Sequence, residues 1–204
     1  MLGTPTRDRQ AERREATRAE ILDAAWAIAH AKGLTELTLR DVAEAIGMQA
    51  PSLYSYFASK NAIYDAMFGQ AWTQYLAAMT ELEPTLPRSP RAGIKAIAHT
   101  FFDFAIAVPA RHQLINERVI SGFVPSAESY APAVEVLERT RAHMERYGVT
   151  KPDQFDLCIA IIGGLVNAQL ANDPGGDRWA RLLDQAVDMF ADHLDIPRSR
   201  RRTR

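Results

Sequence analysis

The sequence of 204 residues has very little cysteine and no long hydrophobic run. Its single cysteine, Cys158, excludes a disulfide framework within one chain and any metal site built from several thiolates. Unbroken apolar runs cover only a few residues, as in 159–162, so we expect no segment that spans a bilayer. The first 18 residues are polar and lack the apolar stretch of a secretory signal. These features predict a cytoplasmic protein without membrane contact.

The sequence also has no excess of charge of either sign. Its 24 Lys and Arg nearly balance its 25 Asp and Glu, which gives a net charge of −1. Taken alone, this balance argues weakly against a nucleic-acid partner. The charges are unevenly distributed, however. Residues 1–60 have eight basic and eight acidic side chains, 61–196 have eleven and seventeen, and 197–204 have five arginines and no acid. The Arg-rich tail is expected to serve either solvation or non-specific anion binding.

Motifs of catalysis are absent from the sequence. It has no Gly-rich nucleotide loop, P-loop, nucleophile elbow or HExxH pair, and its five histidines are scattered. His99 and Asp103 have a helical spacing that suits a hydrogen bond better than a metal site, which needs more ligands. We therefore predict that the protein is not an enzyme, has no metal site and needs no cofactor. Cys158, in an apolar stretch, is expected to be a small core residue.

Helical periodicity runs through nearly the whole chain, and strand patterns are almost absent. We predict an all-α protein of about nine helices. Thr17 and Glu20 are expected to form a capping box at the start of the first helix, and Gly33 to end it. Thr38 and Ser59 are expected to cap the second and the fourth helix. The expected helices cover about 17–32, 38–46, 50–57, 60–82, 91–108, 111–122, 128–147, 152–172 and 175–194.

The first three helices have the spacing of a helix-turn-helix, which needs a sharp turn at a residue tolerant of positive φ, here Gly47. Leu53 and Phe57 can anchor the third helix, so that its outer face can enter a major groove. That face has small and hydrogen-bonding side chains. Lys60, together with residues at the start of the second helix, is placed to contact phosphate.

The run TLRDVAEAIGMQAPSLYSYFASKNAIYDAM (38–67) resembles the N-terminal signature of the tetracycline-repressor (TetR) family, and ILDAAWAIAHAKG (21–33) matches the helix before it. The resemblance covers about a quarter of the chain. It implies a three-helix DNA-binding domain and a larger helical domain for ligand binding and dimerisation. The positions that it assigns to DNA contact are Thr38, Arg40, Gln49, Ala50, Pro51, Ser52, Tyr54, Tyr56 and Lys60.

This resemblance sets four expected regions. They are a basic arm at 1–16, the helix-turn-helix domain at 17–60, the ligand-binding and dimerisation domain at 61–196 and the Arg-rich tail at 197–204. Gln49 departs from the family, which often has Ser or Thr there. Because Gln caps a helix poorly, we expect its amide to reach a base edge instead. Two roles remain open for the basic side chains Arg13, Arg14 and Arg18. They can be solvated, or they can contact DNA at phosphates or in the minor groove.

The ligand pocket is implied by the resemblance to lie among the helices at 60–82, 91–108, 111–122 and 128–147. Its aromatic side chains and few ionisable groups would suit an apolar or aromatic effector. For each candidate, ordinary core packing is the alternative. The candidates are Trp72, Tyr75, Met79, Phe101, Phe104, Ile115 and Arg118.

The last two helices are expected to form the dimer interface, which in the resembling family is a four-helix bundle across a two-fold axis. Gly163 and Gly164 lie in mid-helix, where glycine is costly unless another backbone approaches closely. The predicted interface residues are Ile159, Gly163, Val166, Leu170, Leu183, Val187 and Phe190.

Together these patterns predict a homodimeric, ligand-responsive transcriptional regulator. The resemblance favours a repressor that binds a palindromic DNA operator and is released by a small-molecule effector. Two alternatives remain at this point: an all-α enzyme, and a protein-binding adaptor without operator binding.

Overall fold

A computed structural model describes residues 9–198 of the chain. Those residues form nine α-helices and no strand, as predicted. Residues 1–8 of the expected arm and 199–204 of the expected tail lie outside the described residues. The helices are α1 (Arg9–Lys32), α2 (Leu39–Ala45), α3 (Ala50–Leu53), α4 (Lys60–Leu82), α5 (Pro90–Ala107), α6 (Pro109–Asn116), α7 (Ala127–Arg146), α8 (Pro152–Asn172) and α9 (Leu183–His193).

The helix starts are well explained by local capping at α2 and α4. The Thr38 hydroxyl accepts a hydrogen bond from the backbone N–H of Asp41, and Ser59 does the same for Ala62, both at 3.1 Å. These side chains satisfy N–H groups that the first turn of a helix leaves without a partner. The predicted caps of both helices are confirmed.

Four helix boundaries differ from the sequence prediction. One is the start of α9, which lies at Leu183 where we expected residue 175. Helix α1 begins at Arg9, so Thr17 lies inside it and donates to the Arg13 carbonyl at 3.1 Å instead of forming a capping box. Helix α3 ends at Leu53, and α6 ends at Asn116 where we expected residue 122. Residues 117–126 form an irregular loop before α7. The periodic pattern of this loop reflects its apolar side chains, which pack on the core from a non-helical backbone.

The core consists of two clusters of buried side chains. One joins α1–α3 to α4, α6 and the start of α7, with Ile21, Leu53 and Met67 among its most buried members. The other joins α5, α8 and α9 to the end of α7, around Phe102 and Leu183. Helix α4 packs most extensively against α7. The chain therefore has an N-terminal head, α1–α3, attached to a larger body through α4.

Helix α8 corrects the expectation that no segment could span a bilayer. Its 21 residues are long and apolar enough to do so by length and composition alone. A core helix of a soluble protein passes the same test, and α8 packs against α5 and α9 here. Most of its residues are nevertheless not buried within the chain.

Candidate functional site

The head has the geometry of a helix-turn-helix. Helices α2 and α3 are joined by a tight turn in which Gly47 has a φ of 68° and the N–H of Met48 donates to the Ala43 carbonyl at 2.8 Å. A positive φ is readily adopted by glycine, which explains the residue at this position. Leu53 and Phe57 are buried, 0% and 2% exposed, and fix the inner side of α3 to the core.

The outer side of α3 is open to solvent. Gln49, Pro51 and Ser52 are exposed, and Tyr54 has 55% of its surface accessible. Ala50 and Tyr56 are partly buried. Gln49 occupies the N-cap position of α3, but its side chain makes no capping hydrogen bond. Its amide therefore remains available for the base contact that we expect from it.

The start of α2 presents two of the predicted phosphate contacts. Thr38 is exposed, but its hydroxyl is engaged as the cap and also donates to Asp41 Oδ2 at 2.8 Å. This hydrogen bond, with Lys32 Nζ 3.4 Å from the same carboxylate, lowers the pKa of Asp41. Arg40 is exposed beside it. Thr38 thus has a structural role that any DNA contact would share.

Lys60 likewise has a role within the head. Its Nζ donates to the Thr35 carbonyl at 3.1 Å and lies 5.4 Å from the centre of the Tyr64 ring. The Tyr64 hydroxyl donates to the neighbouring Leu34 carbonyl. The first turn of α4 is therefore attached to the loop that precedes α2.

Two arginines of α1 hold the turn that follows α3, a role that the sequence did not suggest. Arg14 Nη2 donates to the Ser55 carbonyl at 2.6 Å, and Arg18 Nη1 donates to the Tyr56 carbonyl at 2.5 Å. The Arg18 guanidinium also lies 4.1 Å from the centre of the Phe57 ring. A guanidinium is a strong hydrogen-bond donor to backbone carbonyls, and stacking on an aromatic ring adds to this attraction. We call Arg14 and Arg18 the arginine clamp.

An internal space in the body, the apolar cavity, lies among α4, α5, α7 and α8 and has a volume of about 110 Å³. Of the predicted ligand residues, Trp72, Tyr75 and Phe101 line it. Met79 is fully buried and is not part of its wall, while Phe104 packs against Tyr75. The rest of the wall was not predicted to bind ligand, and it comes from α5, α7 and α8, with Asn116 of α6. The residues from α5, α7 and α8 are Ile94, Ile97, Ala98, Val136, Leu137, Thr140, Met144, Phe155, Cys158, Ile159 and Ile162.

The wall of the apolar cavity is electrically neutral. Burial raises the pKa of the Tyr75 hydroxyl and raises that of the Cys158 thiol to about 12, so both are protonated at neutral pH. No Asp, Glu, Lys, Arg or His of the described chain lines it. Such a wall suits an apolar guest.

Ile115 and Arg118, also predicted to bind ligand, line a different space. This loop pocket, about 380 Å³, lies where the 117–126 loop meets α4 and α7. Its aromatic members are Phe68, Phe123 and Tyr130, and the Phe68 and Tyr130 rings are stacked with centres 5.9 Å apart. Five of the seven predicted ligand residues are therefore divided between two spaces, while Met79 and Phe104 line neither. Of the described residues, only Asn116 lines both.

Four of the predicted interface residues lie in the chain's own core, which corrects the expected dimer surface. These side chains are between 0% and 3% exposed, and they are Val166, Leu183, Val187 and Phe190. Leu170 is partly buried, and Ile159 is 45% exposed at the edge of the apolar cavity. Gly163 has open space where a Cβ would lie. The apolar band of α9 is thus used mainly within one chain.

The outward side of the last two helices has a different set of apolar residues. Leu157 is 43% exposed and Met189 is 64% exposed, and both line a groove between α8 and α9. Ile161 and Ala186 lie in the same groove. Gly164 follows one turn after Ile161 and has open space where a Cβ would lie. We call these five residues the outward face.

The histidines form no metal site in the described part of the chain. No group of three or more His, Cys, Asp or Glu side chains there could hold an ion. His99 does not pair with Asp103 as we expected from their spacing. Its Nε2 lies 2.9 Å from Asp184 Oδ1 on α9 instead, so this contact joins two helices.

Comparison with known proteins agrees with the geometry of the head. Residues 21–67 match the sequence profile of bacterial regulatory proteins of the tetR family. The N-terminal domain belongs to the tetR family. The matched segment runs from α1 through the helix-turn-helix into α4, so it contains every predicted DNA-contacting residue. No curated protein sequence matches the chain.

Solved structures share the fold of nearly the whole chain, including the body. A TetR-family transcription regulator from Marinobacter aquaeolei VT8 superposes with a TM-score of 0.65 at 21% identity, covering 89% of this chain and 97% of that one. The regulator FadR from Bacillus subtilis, in complex with stearoyl-CoA, gives 0.63 at 15% identity, with coverage of 84% and 96%. A Rhodococcus sp. RHA1 protein of unknown function gives 0.71 at 18% identity, with 87% and 94%. These similarities establish the fold of the body.

Proposed function

We propose that the protein is a homodimeric transcriptional regulator that represses by binding a palindromic DNA operator and is released by a small apolar or aromatic effector. The observation that carries this proposal is the open outer side of α3. Tyr54 and its polar neighbours are exposed, whereas Leu53 and Phe57 are buried, in a domain of the tetR family. A helix anchored on one side and polar on the other is what major-groove recognition needs.

Dimerisation is proposed to occur through the outward face. Helix α8 is long and apolar enough to span a membrane by length and composition. Most of its residues are nevertheless not buried within the chain. A partner that covers Leu157, Ile161 and Met189 would remove this apolar surface from water. Two recognition helices related by a two-fold axis can then read successive major grooves about 34 Å apart.

Helix α4 is the proposed link between operator and effector. Its first residue, Lys60, contacts the loop before α2, and its middle provides Trp72 and Tyr75 to the wall of the apolar cavity. An effector that prefers one position of α4 would change the spacing of the two heads. A coupling free energy of about 1–3 kcal/mol would change operator affinity by roughly 5- to 150-fold.

The apolar wall of the cavity supports an effector role for small hydrophobic molecules. FadR, one of the structures with this fold, holds stearoyl-CoA. Here the cavity is neutral and small, about 110 Å³, which favours a compact guest. We propose a binding role in the cytoplasm without catalysis.

Footprinting on the DNA that flanks the gene of this protein tests the proposal. Full-length protein is expected to protect two half-sites separated by about one helical turn, and a panel of small apolar molecules is screened for loss of protection. The matched control is the Tyr54→Ala variant, which should fold normally and protect poorly. Binding that is no tighter to this DNA than to a random duplex of the same length would contradict the proposal.

A further inference from the structure

The apolar cavity and the loop pocket meet at the side chain of Asn116, which lines both. Asn116 is exposed at the end of α6, and its amide nitrogen lies 3.2 Å from His112 Nδ1 and 3.4 Å from the His112 carbonyl oxygen. His112 is one turn earlier in the same helix, so rotation of the Asn116 side chain breaks no hydrogen bond between helices. Asn116 is therefore a movable partition between two neighbouring spaces.

A row of aromatic side chains on α4 connects the two spaces. Phe68 lines the loop pocket, whereas Trp72 and Tyr75 line the apolar cavity. The ring centres of Phe68 and Trp72 are 6.4 Å apart, and those of Trp72 and Tyr75 are 6.1 Å apart. At a rise of 1.5 Å per residue, Phe68 and Tyr75 are separated by about 10 Å along the helix axis. The two spaces therefore lie end to end along one face of α4.

The two ends of this combined space differ in charge. No ionisable Asp, Glu, Lys, Arg or His of the described chain lines the apolar cavity, whereas Glu117 and Arg118 line the loop pocket. Glu117 Oε1 lies 3.9 Å from Nε2 of the buried His112. The exposed Arg118 side chain makes no hydrogen bond or ion pair with any described residue. A carboxylate can pair with this guanidinium, but in the apolar cavity it would lose its hydration without gaining a counter-charge.

The size of the apolar cavity limits the apolar end of a guest. Its volume of about 110 Å³ is somewhat smaller than the engineered cavity of about 150 Å³ that binds benzene. Leu137 and Ile159 are 38% and 45% exposed, so the wall between α7 and α8 can give by side-chain movement. One aromatic ring fits these dimensions, and the loop pocket of about 380 Å³ has room for the rest of the molecule.

We propose that the two spaces form one elongated binding site for an aryl-alkanoate, a molecule in which a short carbon chain joins one aromatic ring to a carboxylate. The ring occupies the apolar cavity, the chain passes Asn116, and the carboxylate pairs with Arg118. The inference rests on the proposed function and adds the chemical class of the effector. It gives a single role to predicted ligand residues that line two spaces, such as Tyr75 and Ile115.

Magnetic resonance with a probe of this class tests the placement of its two ends. The probe is 5-phenylvalerate, in which four carbons separate the ring from the carboxylate. Full-length protein with ¹³C-labelled isoleucine methyl groups reports on both ends, because Ile97 lines the apolar cavity and Ile115 lines the loop pocket. The variants Ile97→Val and Ile115→Val assign the two signals.

Bound 5-phenylvalerate should show nuclear Overhauser effects from its ring to the Ile97 methyl group and from the CH₂ beside its carboxylate to the Ile115 methyl group. Contacts of the whole molecule with one space only would overturn the proposal, and so would the reverse orientation. Absence of binding at millimolar concentration would overturn it as well.

Calorimetry tests the charged end independently. In Arg118→Met the affinity for 5-phenylvalerate should fall by about 3- to 10-fold, the contribution of a charge-assisted hydrogen bond at an exposed site. Phenylacetate, in which one carbon separates the ring from the carboxylate, should bind more weakly and lose nothing in this variant, because its carboxylate does not reach the loop pocket. An unchanged affinity for 5-phenylvalerate, or an equal loss for both probes, would overturn the proposal.

Arg40→Met is the matched control for Arg118→Met. Arg40 is also exposed, but it lies in the head and lines neither space. Its loss should leave the affinity for 5-phenylvalerate as it is in the unmodified protein. A loss as large as that in Arg118→Met would show a general effect of positive charge and overturn the pairing.

Operator binding separates this inference from the proposed function. Unliganded protein that binds its operator but not 5-phenylvalerate would overturn the inference and leave the regulator intact. Protein that binds 5-phenylvalerate across both spaces but binds no operator would support the site and contradict the regulator. Each failure is therefore visible by itself.

Discussion

At the scale of single residues, Tyr54 offers the cleanest separation of stability from DNA binding. Its side chain is 55% exposed at the end of α3, so it contributes little to the core. Replacement by alanine should change the free energy of unfolding by less than about 0.5 kcal/mol. Operator affinity should fall roughly 10-fold or more, as expected for a lost contact in a DNA groove.

Denaturant unfolding and fluorescence anisotropy with a labelled operator measure the two effects of Tyr54→Ala. Val124→Ala is the control, because Val124 is 74% exposed in the loop before α7 and lies outside the head. It should change neither quantity. Unchanged operator affinity in Tyr54→Ala would remove Tyr54 from the proposed contact surface.

The arginine clamp predicts a different result. In Arg18→Met the aliphatic stem remains, but the hydrogen bond to the Tyr56 carbonyl and the stacking on Phe57 are lost. The free energy of unfolding should fall by about 1–2 kcal/mol. Operator affinity should also fall because the turn that follows α3 is released, while the slope of log affinity against log salt should stay the same.

Arg40→Met is the matched comparison for the clamp. Arg40 is exposed, so its loss should leave stability unchanged and lower the salt slope by about one phosphate contact. If Arg18→Met lowers the salt slope and leaves stability intact, its guanidinium contacts phosphate and the clamp has no positioning role.

At the scale of elements, the contact between α4 and α7 depends on one carboxylate. Asp65 accepts hydrogen bonds from the Ser126 N–H at 2.6 Å and from the hydroxyls of Ser126 and Ser129 at 2.8 and 2.9 Å. An acid at a helix N-terminus is favourable, so Asp65→Ala should lower the free energy of unfolding by about 1–2 kcal/mol. Asp156→Ala, at an exposed position of α8, should cost less than about 0.5 kcal/mol. Equal effects in urea unfolding would contradict this role.

The contact between α5 and α9 should weaken in acid. A hydrogen bond from His99, and Lys95 close by, hold the pKa of Asp184 below its usual value. A carboxylate with a depressed pKa stabilises the folded state above its unfolded pKa of about 3.9, and the contribution is lost as pH falls through the folded pKa. Urea unfolding should therefore show stability falling below about pH 4, and less steeply in Asp184→Asn. Identical pH profiles for the two proteins would contradict this account.

The sequence predicted some elements well because their signals are local. The caps Thr38 and Ser59 are separated by only three residues from the N–H groups they bind, so they could be recognised from spacing. The arginine clamp could not, since it joins residues 38 and 41 positions apart. Periodicity also could not tell which side of α9 faces the chain's own core. For this reason Leu183 and Val187 were expected at the interface but are buried.

At the scale of the whole molecule, we expect a dimer formed through the outward face. A single charged residue introduced there should prevent dimerisation. Met189→Glu should convert the protein to a monomer in analytical ultracentrifugation, with an unchanged far-UV spectrum, because a carboxylate would be buried without a partner. Val124→Glu, which adds the same charge elsewhere, should remain dimeric. A Met189→Glu variant that stays dimeric would place the interface on another surface.

The distribution of charge bears on how such a dimer holds DNA. Residues 1–60 have no net charge, and Arg14, Arg18 and Lys60 all donate to backbone carbonyls within the head. Three of the eight basic side chains of residues 1–60 are therefore held within the protein. We expect a modest dependence of operator affinity on salt, with shape and base contacts providing the rest.

Titration of the full-length protein against a palindromic duplex recovered by footprinting tests the central claim most directly. The account predicts two chains per duplex, and affinity at least 10³-fold tighter than for a shuffled duplex at the same salt concentration. It also predicts that this preference falls roughly 10-fold or more in Tyr54→Ala and is lost in Met189→Glu. Equal affinity for the palindromic and the shuffled duplex would contradict the account.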